Sequence, residues 1–265
     1  MNDIDLNADL GEGYGPWRMG EDEALLQVVS SANIACGFHA GDPVIMDRTV
    51  RQAAARGIDI GAHVGFPDRQ GFGRRVMQID AGELASMVVY QLGALAGIAR
   101  AAGCRMTHMS FHGALGNLAA ADAALADPLV RAVADFDPAL IISSSASAAI
   151  EGAAARHGLA LASTFLADRA CDEQGLLVPR RLAGAVIHDE AQVLARVRQL
   201  LREGTVTTHG GAVIPLRAQQ ILVHGDTPGA LALARAIRAE IEFGGARVRP
   251  VSALLADRLV SSAHG

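Results

Sequence analysis

Lysine is absent from this chain of 265 residues: all 23 of its Lys and Arg residues are arginine. That excludes Schiff-base chemistry and a Walker-type phosphate loop, whose lysine reaches the β and γ phosphates. Aromatic residues are scarce, at 4% beside 51% hydrophobic residues, so the core must be built from Ala, Val, Leu and Ile. Cysteine is limited to Cys36, Cys104 and Cys171, with no C-x-x-C pair. An odd, scattered set of thiols excludes a disulfide framework and suits a reducing compartment. Residues Met1 to Asp5 lack the basic-then-apolar pattern of a secretory leader, and no apolar run is read as approaching the roughly 20 residues of a membrane span. A cytoplasmic location follows as the expectation. A net charge of -5 and a pI near 6.0 leave no basic footprint for a nucleic acid or an anionic membrane.

What is present begins almost at the N-terminus, with Asp5-Leu6-Asn7-Ala8-Asp9-Leu10-Gly11-Glu12-Gly13. As a strand, this stretch puts Asp5, Asn7 and Asp9 on one face and the apolar residues on the other. Two carboxylates and an amide on a buried strand are costly unless they meet partners or ligands. The glycines that follow allow a sharp turn and leave Glu12 near the strand's end.

Along the chain, strands and helices alternate. After the opening strand, residues 21–29 have helical character. Strands are expected over 31–35, 58–62, 105–110, 140–143, 159–164 and 221–223, with a last one over 247–251. Asp42 is a good N-cap and Pro43 a good first helical residue, which predicts a helix from Pro43 to about Arg56. Further helices are expected over 81–102, within 118–136, and over 146–157, 190–202 and 228–243. Residues 167–189 have no periodicity, and unstructured stretches this long in compact domains are usually functional. Residues 205–215 read as a turn-rich insert, and the tail 261–265 as frayed. With no break in composition, one domain over 1–265 is expected: α/β, a single TIM-like (β/α) barrel of about seven parallel strands. An open doubly wound sheet is the rival architecture. The barrel is favoured because polar and His-rich runs follow the strands, where a barrel gathers its active site.

Those strand ends collect Asp5, Asn7, Asp9, Glu12, Asn33, His39, His63, His112, Asp168, His224 and Asp226 at one mouth. Four of the histidines stand beside glycines, which let backbone and substrate approach. His108, His157, His188, His209 and His264 have weaker context and read mostly as helix ends or surface positions. Ser143-Ser144-Ser145 lacks a G-x-S-x-G elbow and reads as strand-end filler, and Cys36 as a small buried residue. Carboxylates and imidazoles can deprotonate water, or hold a divalent metal that does so, and the available chemistry is therefore hydrolytic.

Together, the opening stretch, Ser31-Ala32-Asn33-Ile34-Ala35-Cys36-Gly37-Phe38-His39-Ala40-Gly41-Asp42-Pro43, Gly61-Ala62-His63 with Gly71-Phe72-Gly73-Arg74-Arg75, and Val223-His224-Gly225-Asp226-Thr227-Pro228-Gly229 closely resemble the LamB/YcsF family over nearly the whole chain. The resemblance implies a TIM-like barrel related to the glycoside hydrolase and polysaccharide deacetylase superfamily. It also implies the A component of a 5-oxoprolinase, which opens the lactam of 5-oxoproline to glutamate with ATP, together with B and C subunits. The missing phosphate loop fits a division of labour in which partner subunits handle ATP. The expected catalytic groups are Asp9, Glu12, His39, His63 and His112. Substrate binding is expected from Asp5, Asn7, Asn33, Asn117, Asp168, Arg169, His224 and Asp226. A divalent metal, if bound, would fall to Asp9, His39 and His63. A homo-oligomer is compatible with this reading.

Two departures stand out. Where the family usually has Lys-Pro-His-Gly-Ala-Leu-Tyr-Asn, this chain has Ser110-Phe111-His112-Gly113-Ala114-Leu115-Gly116-Asn117, without the cation and the phenol. The usual Glu-Val-Phe-Ala-Asp-Arg-Ala-Tyr becomes Thr164-Phe165-Leu166-Ala167-Asp168-Arg169-Ala170-Cys171. Both fall at the expected mouth, so they bear on substrate choice. Beside the lactam hydrolase stand two alternatives: a metal-dependent, deacetylase-like hydrolase acting alone, and a paralogue that binds a ligand without catalysis.

Overall fold

Seven parallel strands close into a barrel in the computed structural model, which describes residues 3–145 and 147–262. The strands are β1 (Asp5–Leu10), β2 (Ser31–Ala35), β3 (Asp59–Val64), β4 (His108–Phe111), β5 (Ile141–Ser144), β6 (Ala160–Leu166) and, after a small hairpin, β9 (Gln220–Val223). Each pairs with the next, and β9 lies between β6 and β1, which closes the ring. Helices α1 (Asp22–Leu25), α2 (Pro43–Ala54), α3 (Ala81–Ala101), α4 (Gly113–Ala121), α5 (Ala123–Phe136), α6 (Ala148–Arg156), α7 (Glu190–Glu203) and α8 (Ala230–Phe243) cover the outside. The expected TIM-like barrel is the observed fold, and parallel pairing by helical crossovers is the reason the alternation was readable.

Local chemistry explains the element ends. Asp42 accepts hydrogen bonds from the backbone N–H groups of Val44 and Ile45, with Pro43 opening α2. Asp80 and Asp189 cap α3 and α7 in the same way, and Gly204 ends α7 in the left-handed conformation.

Side chains alternate along each strand, so Leu6, Leu10, Ile34, Met109 and Ile221 point outward. They join Leu92, Leu95, Leu129, Val133 and Ile237 of the helices in one buried cluster. Each such side chain contributes about 1.5–3 kcal/mol by leaving water. The inward positions of β1 are Asp5, Asn7 and Asp9, all buried. This barrel is therefore filled with polar groups where aliphatic layers are usual.

Four expectations are corrected. The last strand over 247–251 is reduced to one parallel bridge, Ile4 to Val248, and Val251 already begins helix α9 (Val251–Ser262). Both edges of β1 are taken, by β2 and β9, so the closed ring has no place for an eighth strand. The insert 205–215 is an antiparallel hairpin of β7 (Thr205–Thr207) and β8 (Val213–Pro215). The helix over 21–29 is only the single turn α1. Finally, α3 is long and apolar enough to cross a membrane by length and composition, at a mean hydropathy of 1.4. Its apolar character has another cause: Leu84, Val88, Leu92, Leu95 and Ala99 are buried in the barrel's outer layer. Residues 263–265 of the tail, with His264, lie outside the described residues.

Candidate active site

Polar residues build the site from the barrel floor upward. At the bottom, Asp5 accepts hydrogen bonds from Ser30 Oγ at 2.6 Å, Ser31 Oγ at 2.8 Å and Gln220 Nε2 at 2.5 Å. Burial dominates these contacts and raises its pKa to about 7. One layer up, Asn7 Nδ2 donates to Asn33 Oδ1 at 3.0 Å, and Asn33 Nδ2 donates to Asp9 Oδ1 at 2.9 Å. Asn33 Oδ1 also lies 3.1 Å from His108 Nε2, whose other nitrogen is 3.0 Å from Thr107 Oγ1. The imidazole of His108 fits inside the barrel because residue 61 is glycine; a Cβ there would collide with His108 Nε2.

Asp9 is thus the top of an interior hydrogen-bonded column, and Asp5 and Asn7 belong to its base, below the mouth. His108, given weaker context from sequence and left out of the expected site, is fully buried in the same column. The signal was present in β4, where His108, Ser110 and His112 alternate just as Asp5, Asn7 and Asp9 do in β1.

Above the column, Gly11, with φ +70, turns the chain so that Glu12 folds back over the barrel. Glu12 Oε1 lies 3.3 Å from His39 Nε2 and 3.8 Å from His112 Nδ1. His112 Nδ1 is 2.9 Å from His63 Nε2, and His63 Nε2 is 3.4 Å from Asp9 Oδ1. The rings of His39 and His112 stack at 3.8 Å. Burial holds all three imidazoles neutral: His63 is lowered to about 3, and His39 and His112 well below the ordinary histidine value. Burial, reinforced by the charges of Asp9 and Asp226, pushes Glu12 well above the usual carboxylate range. Asp9 is raised to about 6, again chiefly by burial, with His224 and Asn33 pulling the other way.

One donor atom from each of Glu12, His39, His63 and His112 lies within 4.8 Å of all the others. Three neutral imidazoles and a carboxylate are a donor set for a divalent transition metal. His112 is oriented for it, because Nε2–H donates to the Phe72 carbonyl at 2.8 Å and Nδ1 is left facing the cluster. Asp9, counted from sequence with His39 and His63 as a donor, is outside this group; Glu12 and His112 belong to it. Phe72 stands in the Gly71-to-Arg75 motif but was given no role from sequence. It is the one non-glycine residue with a positive φ among the described residues, at 54°, and its ring packs edge-on against both His39 and His112. Such backbone strain persists where the surroundings over-determine it.

The opposite side of the mouth comes from β6, β9 and the loop 167–189. His224 Nδ1 lies 2.8 and 2.9 Å from the two Asp168 oxygens, so Nδ1–H is the donor there. Burial disfavours the imidazolium, but the Asp168 charge and hydrogen bond prevail and raise His224 above its ordinary value. Asp226 accepts from Arg74 Nη2 at 2.8 Å. Arg169 is buried and structural in its contacts: Nε donates to the Ala185 carbonyl at 3.1 Å and Nη2 to that of Val178 at 2.7 Å. Asn117 is exposed on α4, at the cavity's rim.

Between the two sides lies a cavity of about 580 Å³, lined by Asp9, His63, His112, His224, Ser110, Ser143, Arg74 and Arg180 among others. Glu12 and His39 stand behind this lining. Ser143 of β5 therefore faces the cavity, and its Oγ is buried without a hydrogen-bond partner among the described residues. A second recess, about 720 Å³, opens at the other end of the barrel near Arg51, Asp59 and Cys104 and has no such convergence of carboxylates and imidazoles. Cys36 is buried as expected, its thiol pushed up to about 12 by burial.

The family model described as LamB/YcsF family matches residues 4–256. A protein of Ralstonia nicotianae, the second of its 5-oxoprolinase A-type subunits, is 71% identical over 250 residues, covering 94% of this chain and 96% of that protein. The crystal structure of a lactam utilization protein from Thermus thermophilus matches with a TM-score of 0.86 at 39% identity, over 93% of this chain and 99% of that one. A mutant form of the peptidoglycan deacetylase PdaC from Bacillus subtilis shares the fold alone, with a TM-score of 0.51 at 11% identity, over 99% of this chain and 94% of that one.

Proposed function

Because the chain belongs to the LamB/YcsF family, we propose that it is the component of a 5-oxoprolinase in which the lactam ring is opened, and that Asp9 and His224 carry the proton transfers. It is a lactam hydrolase component, and the observation that supports these two residues is their placement in one cavity. Asp9 is held by Asn33 Nδ2 at 2.9 Å and is close to His63, so its carboxylate is fixed toward the space a water would occupy. His224 is oriented by Asp168, which also favours its charged form.

In this reading Asp9 takes a proton from water as the oxygen attacks the ring carbonyl. The C–N bond of the tetrahedral intermediate then breaks, and the His224 imidazolium gives its Nε2 proton to the departing ring nitrogen. One lactam and one water become one glutamate. Asp9 at about 6 still lies below His224, which is raised above its ordinary value, so between the two an ionised carboxylate stands with a charged imidazole, as such a pair requires. A divalent metal held by Glu12, His39, His63 and His112 would supply Lewis-acid polarisation beside Asp9.

ATP use is assigned to partner subunits of the B and C type, in keeping with a chain that has no lysine for a phosphate loop. A cytoplasmic complex suits the three free cysteines. The deciding experiment is glutamate release from 5-oxoproline by the chain reconstituted with its partner subunits and ATP. Release that needs this chain and is lost in Asp9→Asn supports the reading; release by the partners alone sinks it. The donor cluster favours one second reading, a metal-dependent hydrolase acting alone, which predicts amide hydrolysis by the metal-loaded chain without partners or ATP.

A further inference from the structure

Four arginines line the cavity, Arg74, Arg169, Arg180 and Arg181, and they are not equivalent. Arg74 is neutralised by Asp226, with Nη2 donating at 2.8 Å. Arg180 is in no ion pair among the described residues. Its Nη2 lies 3.4 Å from His224 Nε2, the edge of the ring turned away from Asp168. When His224 is charged, Nε2–H and Nη2–H are both donors, and they stand side by side on one wall. Two adjacent donors of positive charge are the arrangement that an oxygen anion satisfies.

The loop that carries Arg180 is fixed from behind. Arg169 donates to the carbonyls of Val178 and Ala185, on either side of Arg180, and Arg196 Nη2 in turn donates to the Arg169 carbonyl at 2.8 Å. Residues 167–189, aperiodic in sequence, are thus a braced arm and not a free loop. A braced arm presents its guanidinium with little ordering cost on binding.

We propose that Arg180 binds the substrate's carboxylate and so selects lactams carrying a carboxylate next to the ring nitrogen over neutral lactams. This rests on the lactam hydrolase reading above and deepens it. In 5-oxoproline the carboxylate is attached to the carbon bonded to the ring nitrogen. A residue that holds that carboxylate must therefore stand beside the residue that protonates the nitrogen, and Arg180 and His224 are neighbours in that sense. Arg74 and Arg169 are excluded from the role by their existing partners, and of the adjacent Arg180 and Arg181 it is Arg180 that reaches His224. The planar fork of an arginine also matches a carboxylate with two hydrogen bonds.

The test uses the complex reconstituted with partner subunits and ATP, comparing wild type with Arg180→Gln and Arg180→Lys. Arg180→Gln should raise KM for 5-oxoproline by about 10- to 100-fold, the worth of a charged hydrogen bond, with a much smaller change in kcat. Arg180→Lys should recover part of the loss. Competitive inhibition by 2-pyrrolidinone, a lactam without the carboxylate, should be the same in all three. An unchanged KM, or an equal loss toward both lactams, overturns the assignment. Should wild type be inert toward every lactam, the lactam reading itself fails. Calorimetric titration of the full chain with 5-oxoproline, glutamate and inorganic phosphate then decides on Arg180 alone: carboxylate binding that Arg180→Gln abolishes supports it. Binding of phosphate only, or of nothing, overturns it.

Discussion

His63 Nε2 and His112 Nδ1 face each other at 2.9 Å, while the far edge of His112 is committed to the Phe72 carbonyl. Two neutral imidazoles sharing one point with the Glu12 carboxylate make a metal site the direct expectation. The full chain should bind about one equivalent of Zn²⁺ or Mn²⁺, measured by elemental analysis after gel filtration and by calorimetry. His112→Ala should abolish that binding. His157→Ala, which removes a histidine paired with Asp127 on the outer surface, should leave it unchanged. Equal metal content in the two variants would remove the cluster as a metal centre.

Asp9→Asn keeps the oxygen that accepts from Asn33, so the fold should be retained. As the proposed base, Asp9 should account for about 10²- to 10⁴-fold in kcat. Circular dichroism and the thermal midpoint check the fold, and glutamate release from the reconstituted complex checks the rate. Turnover within a few-fold of wild type would take Asp9 out of the mechanism.

Asp168 acts on the reaction only through His224, whose pKa it raises by charge and hydrogen bond. Asp168→Asn should therefore move the alkaline limb of the pH–rate profile to lower pH, because the imidazolium then loses its proton earlier. A profile that drops in height without moving its alkaline limb would give Asp168 a purely structural part.

Asp5 sets a pH dependence of stability that is separate from activity. Its folded-state pKa is about 7 against a reference of 3.8, so between those values the native state holds a proton that the unfolded chain has lost. Stability from this group is complete below about pH 4 and is lost as pH rises through about 7, on the order of 4 kcal/mol in all. Urea midpoints should fall across that window, and Asp5→Asn, which cannot ionise, should remove most of this slope. An identical slope in the variant would refute the assignment.

Gly225 separates His224 from Asp226, and a Cβ there would collide with the Asp9 carbonyl oxygen. The obstacle is backbone, which cannot rotate aside. Gly225→Ala should cost about 1–3 kcal/mol and lower activity more than stability by shifting β9 against β1. Wild-type activity in a folded variant would show that this contact yields easily.

Much of the barrel was legible because period-2 alternation, Asp N-caps and glycine stops are local signals, and they set β1 to β6 and β9 with most of the helices. The residues 247–251 misled for a tertiary reason: whether a β-prone segment becomes a strand depends on a free edge, and none remained. His108 was missed for a related reason. A histidine's burial depends on what lies across the barrel, here Gly61, which no local pattern announces.

By itself, the sequence determined which groups point inward, since the alternation of Asp5, Asn7 and Asp9 with Leu6, Ala8 and Leu10 admits only one face for each set. It also determined the chemistry they can do, as carboxylates and imidazoles without a lysine. Only the tertiary structure decided which of them meet. Closing seven strands places β9 against β1, so that Gln220 reaches Asp5 across 215 residues of chain and His224 shares a cavity with Asp9. The turn at Gly11 sends Glu12 to the histidines and leaves Asp9 to the substrate side. Those choices depend on ring closure and backbone turns, and distances of a few ångströms between residues far apart in the chain follow from the two together.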